Sequence, residues 1–127
     1  MVISEFWNNF PQTHSMSDIQ TITDALVKFR DDRQWAQFHD SKNLALAISI
    51  EAAELNELFL WKEGPAAEEV DKDKLKEELA DIFSFCFLLA DKHQLDVKEI
   101  ILEKIRVNDQ KYPIEKARGT AKKYNEL

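Results

Sequence analysis

Two pairs of acids stand where an α-helix would bury them. Glu51 and Glu54, then Glu78 and Asp81, are spaced i, i+3 inside segments that are otherwise strongly apolar. At about 100° per residue, the first pair shares an arc with Leu44, Ala47, Ile48, Leu55 and Leu58, and the second with Leu75, Ile82, Phe85 and Leu89. If those faces meet, four carboxylates converge. Like charges about 4 Å apart repel by about 4 kcal/mol at an effective dielectric of about 20, so the cluster needs protons, cations or a metal ion. The ligand set is all oxygen, with no Glu-x-x-His pair of the di-iron bundle type and no paired Cys for zinc, so the hard ions Mg²⁺ or Mn²⁺ suit it best. A Mg²⁺ that keeps some of its waters is the usual partner of a phosphate substrate. The competing reading makes these acids surface residues, paired with Lys62, Lys74 or Lys76.

Helices must position these acids. Ile19, Ile22, Leu26 and Phe29 recur at spacings of three and four, predicting a first helix from Asp18 to near Trp35 with Ser17 as its N-cap. After a connection rich in aromatic and polar residues, capped by Asp40 or Ser41, a second helix is expected over Leu44 to Trp61. Gly64-Pro65 breaks it, Glu68 to Asp73 reads as a loop, and a third helix runs from about Lys74 to Lys92. Asp96 with Glu99 starts a fourth, which stops before Pro113; the remainder reads as extended or irregular. The second and third helices have almost no polar face, more than two neighbours can cover, so a homo-oligomer is expected.

Composition agrees. The 127 residues include only two Gly and three Pro, too few for many short strands, and 44% are hydrophobic, enough for one core. Seventeen Lys and Arg against 24 Asp and Glu give a net charge of -7, which disfavours a nucleic acid polymer as partner. One cysteine, no signal-like start and no long apolar run predict a cytoplasmic chain, not a membrane one. Residues 1–17 read as an N-terminal arm or an expression remnant before a domain over 18–127.

The separated motifs agree with a known pattern. Glu51-Ala-Ala-Glu54-Leu55 followed by Glu77-Glu78-Leu79-Ala80-Asp81 resembles the metal-binding signature of the all-α MazG-like nucleoside triphosphate pyrophosphohydrolases. Arg33-Gln34-Trp35-Ala36-Gln37-Phe38-His39, Glu57-Leu58-Phe59-Leu60-Trp61, Asn108-Asp109-Gln110-Lys111-Tyr112-Pro113 and the tail from Ala117 to Tyr124 are similar to the branch that includes dCTP pyrophosphatases. The resemblance implies a four-helix MazG-like fold assembled as a dimer or dimer of dimers. It also implies Mg²⁺-dependent cleavage of a nucleoside triphosphate between its α and β phosphates, in nucleotide-pool house-cleaning. Glu51, Glu54, Glu78 and Asp81 would hold the metal, with Glu54, then Glu51, the catalytic candidates.

The base would stack on flat side chains, for which Trp35, Phe38, His39, Trp61 and Phe85 are the candidates. The phosphates need cations. From Lys104 to Leu127 there are seven basic and three acidic residues, a local +4, and Lys104, Asn108 and Lys111 recur at helical spacing ahead of Tyr112. Three departures from the family pattern stand out: Ile50 replaces an additional acid before the first motif, and Leu26 and Phe85 occupy positions where the dCTP-preferring branch is expected to carry His and Tyr. The last two remove polar groups that would discriminate the base; the resemblance itself makes dCTP or a modified pyrimidine the leading substrate. Two other readings are a noncatalytic helical interaction protein with a structural metal site and a di-metal oxidoreductase, the latter opposed by the missing Glu-x-x-His pairs.

Overall fold

Ser17 accepts a hydrogen bond from the Gln20 N–H at 3.1 Å and so starts the first helix, α1, Asp18–Asp32. The structure, a computed structural model, describes residues 17–127; the arm expected over residues 1–17 lies, Ser17 apart, outside them. α1 stops three residues short of Trp35. The Arg33 and Gln34 N–H groups turn back to the Arg30 and Asp31 carbonyls, and Gln34 enters the left-handed region at φ 55°. Within the connection rich in aromatic and polar residues, Trp35–Phe38 then forms a turn of 3₁₀ helix.

Asp40 caps α2, Ser41–Glu57, accepting from the Asn43 N–H at 2.7 Å. This helix ends before Trp61. The N–H groups of Leu58, Phe59 and Leu60 each bond three residues back, a tightening that leads to a left-handed Trp61 at φ 64°. A short helix, α3, Pro65–Glu68, follows Gly64. Asp71 accepts from the Asp73 and Lys74 N–H groups, so α4, Lys72–Lys92, begins two residues earlier than periodicity alone suggests. Asp96 caps α5, Val97–Lys111, and the tail holds α6, Ile114–Ala117, and a 3₁₀ turn at Tyr124–Glu126. Four long helices are present, as expected, and the described residues contain no strand. None of their helices is long and apolar enough to cross a membrane.

The chain divides into two compact units, one ending at Gln94 and the other Leu95–Leu127. In the first, α4 is central and packs on both α2 and α1. Ser41, the first residue of α2, is 2.8 Å from His93, just past the end of α4, whereas Glu51 and Glu54 further along α2 meet Glu78 near the start of α4. The two helices are therefore antiparallel. Leu44, only 2% exposed, anchors the core with Leu88, Ala90 and Ala25. Much apolar surface remains open beyond this core, including Leu46 and Ile50 on α2 and Phe83 on α4.

Candidate active site

The antiparallel pairing of α2 and α4 brings the acids together. Glu51, Glu54 and Glu78 each offer a carboxylate oxygen within 4.8 Å of the others. Oε2 of Glu51 and Oε2 of Glu78 are buried without a hydrogen-bond partner, a costly arrangement for oxygens that carry charge. Burial, hydrogen bonding to Glu54 and the charges of Glu54, Asp81 and Glu78 push the Glu51 carboxyl up to about 7. Glu78 is raised too, by desolvation first and then by Glu54, Asp81 and Glu77. Among the described residues none of the four acids has a basic partner within ion-pair distance; Lys76 instead sits 4.0 Å from Asp73. The surface-pair reading thus loses its lysines. Orphaned carboxylate oxygens, mutual repulsion and an all-oxygen donor set are what a hard divalent cation relieves, so these residues fit a Mg²⁺ or Mn²⁺ ion.

Asp81 stands outside the 4.8 Å set, but its charge acts on both Glu51 and Glu78. It also lines a neighbouring cleft of about 370 Å³, built from Leu26, Phe29 and Arg30 on α1, Trp35 and His39 on the connector, and Ser84, Phe85 and Leu88 on α4. The walls are flat and apolar. Phe85 meets His39 edge to face with centroids 6.3 Å apart, and Phe29 meets Trp35 in the same way at 5.7 Å. Arg33 braces the second pair from outside the cleft, its guanidinium 3.7 Å from the centre of the Phe29 ring and 5.9 Å from that of Trp35. His39 Nδ1 is buried with no partner, and burial, then the charges of Arg30 and Lys92, lower the imidazole pKa. A volume of this size suits a small ligand with a planar ring.

Of the predicted stacking residues, the cleft gathers Trp35, His39 and Phe85. Phe38 and Trp61 lie outside it; Phe38 is exposed and Trp61 is 92% exposed. Phe29, Arg30, Ser84 and Leu88 were missed as site residues, and Arg30 had a usable signal. It directly follows Phe29 and lies four residues after Leu26, a charge beside an apolar stripe, the same anomaly that marked the acids.

The predicted cationic residues lie in the second unit. Lys104, Asn108 and Lys111 follow one face of α5, all exposed. Tyr112 ends that helix, its N–H bonded to the Asn108 carbonyl at 2.8 Å, and its ring meets Tyr124 edge to face at 6.2 Å. Lys111 Nζ lies 5.1 Å from the Tyr124 ring centre, which links the end of α5 to the tail motif. Lys104 also borders a larger groove, about 450 Å³, with Glu99, Ile100, Glu103, Arg106 and Val107. That groove runs along one helix and has neither aromatic walls nor orphaned acids, so chemistry rather than volume singles out the smaller cleft.

The chain is similar to dCTP pyrophosphatase 1 of Rattus norvegicus, with 35% identity over 124 residues, 94% of this chain and 71% of that protein. It is similar to dCTP pyrophosphatase 1 of Homo sapiens at 34% identity, with 94% of this chain and 71% of that protein covered. Among solved structures, a pyrophosphatase from Archaeoglobus fulgidus superposes with a TM-score of 0.74 and 35% identity, over 80% of this chain and 97% of its own. The MazG-like family profile matches residues 46–127, a span that takes in all four acids. With that match and relatives of this identity and coverage, the chain belongs to the MazG-like family.

Proposed function

We propose that the protein is a nucleoside triphosphate pyrophosphohydrolase with dCTP as substrate, cleaving between the α and β phosphates to give dCMP and pyrophosphate. One observation carries the reading: Asp81 borders the aromatic cleft and acts electrostatically on the Glu51 and Glu78 carboxylates, so a ring site and a cation site adjoin on α4. The relatives named for dCTP supply the substrate. Glu51, Glu54, Glu78 and Asp81 would hold Mg²⁺, with Mn²⁺ as the alternative. When bound, the cation would offset triphosphate charge and activate a water molecule.

The chain's own residues do the rest. Trp35, His39 and Phe85 bind the base by stacking and edge contacts, and Phe38 and Trp61, outside the cleft, are further candidates. Glu54 is exposed beside the cluster, open to solvent and able to accept the proton of the attacking water. Lys104, Asn108, Lys111 and Tyr112, in the second unit, supply cationic and polar groups of the kind a phosphate chain needs. A homodimer or dimer of dimers completes the assembly through α2 and α4, a reading supported by their open apolar residues, Phe83 being 57% exposed. A cytoplasmic house-cleaning role accords with that chemistry.

The test is a panel of dNTPs and modified dNTPs with Mg²⁺, with pyrophosphate separated from orthophosphate. Pyrophosphate and dCMP are expected; orthophosphate with dCDP would overturn the proposed bond cleavage, and no turnover of any nucleotide would favour a noncatalytic helical protein. Glu54→Gln is expected to lower kcat about 100-fold or more, and Asp81→Asn to abolish turnover, each with helicity and oligomeric state retained. Wild-type rates in either variant would remove that residue from the site.

A further inference from the structure

A cation sits in the apolar wall of the cleft. Arg30 lines it between Leu26, Phe29 and Trp35, and its side chain is only 20% exposed. An unpaired guanidinium there would be costly. Asp31 receives a hydrogen bond from Arg30 Nε at 2.8 Å, and Asp91 adds a second favourable charge. Of the five N–H donors, one is thereby used and the guanidinium plane is pinned. Among the described residues, the two terminal Nη groups make no hydrogen bond.

The other polar groups in the cleft are of different kinds. Ser84 commits its hydroxyl proton to the Ala80 carbonyl at 2.7 Å. Asp81 belongs electrostatically to the acid cluster. His39 offers a buried, unpartnered Nδ1 on an imidazole held towards its neutral form. Arg30 alone presents a rigid fork of paired donors, which matches two adjacent acceptors better than any single one.

We propose that Arg30 is a specificity-determining residue, its Nη fork reading a base edge that carries two adjacent hydrogen-bond acceptors. This rests on the nucleotide reading above. Cytosine offers such an edge at O2 and N3, and guanine at O6 and N7. Thymine and uracil place an N3–H donor between their carbonyls, opposing the fork. Adenine sets its exocyclic N6 donor beside both N1 and N7. Among pyrimidines the selected base is therefore cytosine, and the selection does not require the polar side chains that Leu26 and Phe85 replace.

The test compares Arg30→Met, which keeps the stem and removes the fork, with Arg30→Lys, which keeps the charge. Steady-state kinetics on dCTP and dTTP are paired with titration of dCMP and dTMP followed by tryptophan fluorescence. Arg30→Met is expected to raise the KM for dCTP and weaken dCMP binding about tenfold to a hundredfold, with kcat and the dTTP parameters changed less than about threefold. Arg30→Lys should lose the same selectivity. Asp31→Asn, which keeps the fork but weakens its anchor, should give a smaller loss in the same direction and covers the case of a misfolded Met variant. Equal losses on both nucleotides, selectivity retained in Arg30→Lys, or no preference in the wild type would overturn the proposal. Selective dCMP binding without dCTP turnover would uphold Arg30 while overturning the proposed reaction.

Discussion

Ser41 Oγ lies 2.8 Å from His93 Nε2, joining the first residue of α2 to the residue that caps α4. Fifty-two positions separate them in sequence. With the meeting of Glu51 and Glu78 further along, this contact fixes two points on the antiparallel pair and hence its register. A slip of one residue in that register would rotate an acid out of the cluster. His39 and the Asp40 cap immediately precede Ser41, so the same bond ties one wall of the cleft to α4.

Loss of that tie should be measurable. Ser41→Ala is expected to lower the unfolding free energy by about 0.5–1.5 kcal/mol, with His93→Ala similar. The double variant should cost less than the sum of the singles, since both remove one interaction. Urea denaturation of the four proteins checks this. Full additivity would mean that the two side chains are energetically independent.

The acid cluster should make stability fall with rising pH and rise with a bound divalent cation. Glu51 has a folded pKa of about 7 against an ordinary value of 4.5, so over that interval the folded chain holds a proton that the unfolded chain releases. The stabilisation is whole below 4.5 and is lost as pH rises towards 7; the raised pKa of Glu78 works in the same sense. Melting temperature in a chelator should therefore fall across this window, and Glu51→Gln should flatten the curve. Saturating Mg²⁺ should restore stability near pH 7.5, by about 2.7 kcal/mol at a hundredfold excess over Kd. A metal-free melting temperature that rises from pH 4.5 to 7 would contradict this account.

Local chemistry made the helices and the acid cluster readable. The acids at positions 51, 54, 78 and 81 are anomalous on apolar stripes whatever packs against them, and Ser17, Asp40 and Asp96 are caps by residue type. The cleft was only partly readable. Trp35 and His39 belong to it because Gln34 takes a positive φ and the following 3₁₀ turn folds the connector beside α1, neither of which periodicity encodes. Arg30 carries a signal in the sequence, a cation beside the Leu26 and Phe29 stripe, but the opposite wall of the cleft is what singles it out. The end of α2 was misjudged because Leu58, Phe59 and Leu60 continue the apolar pattern while their N–H groups leave the helical ladder.

Trp61 illustrates a local cost with a functional reading. It holds φ 64° and is 92% exposed, so among the described residues little packing offsets the left-handed backbone. That conformation costs about 1–2 kcal/mol for an ordinary residue and less for Asn or Gly. Trp61→Asn should accordingly raise the melting temperature, or at least leave it unchanged, despite the loss of a large aromatic side chain. If the exposed ring closes over the base, the same variant raises the KM for dCTP, since loss of base stacking costs about 1–3 kcal/mol. Thermal melts and initial rates on one preparation read both effects. A lower melting temperature together with an unchanged KM would make Trp61 a structural residue and remove it from the candidate site.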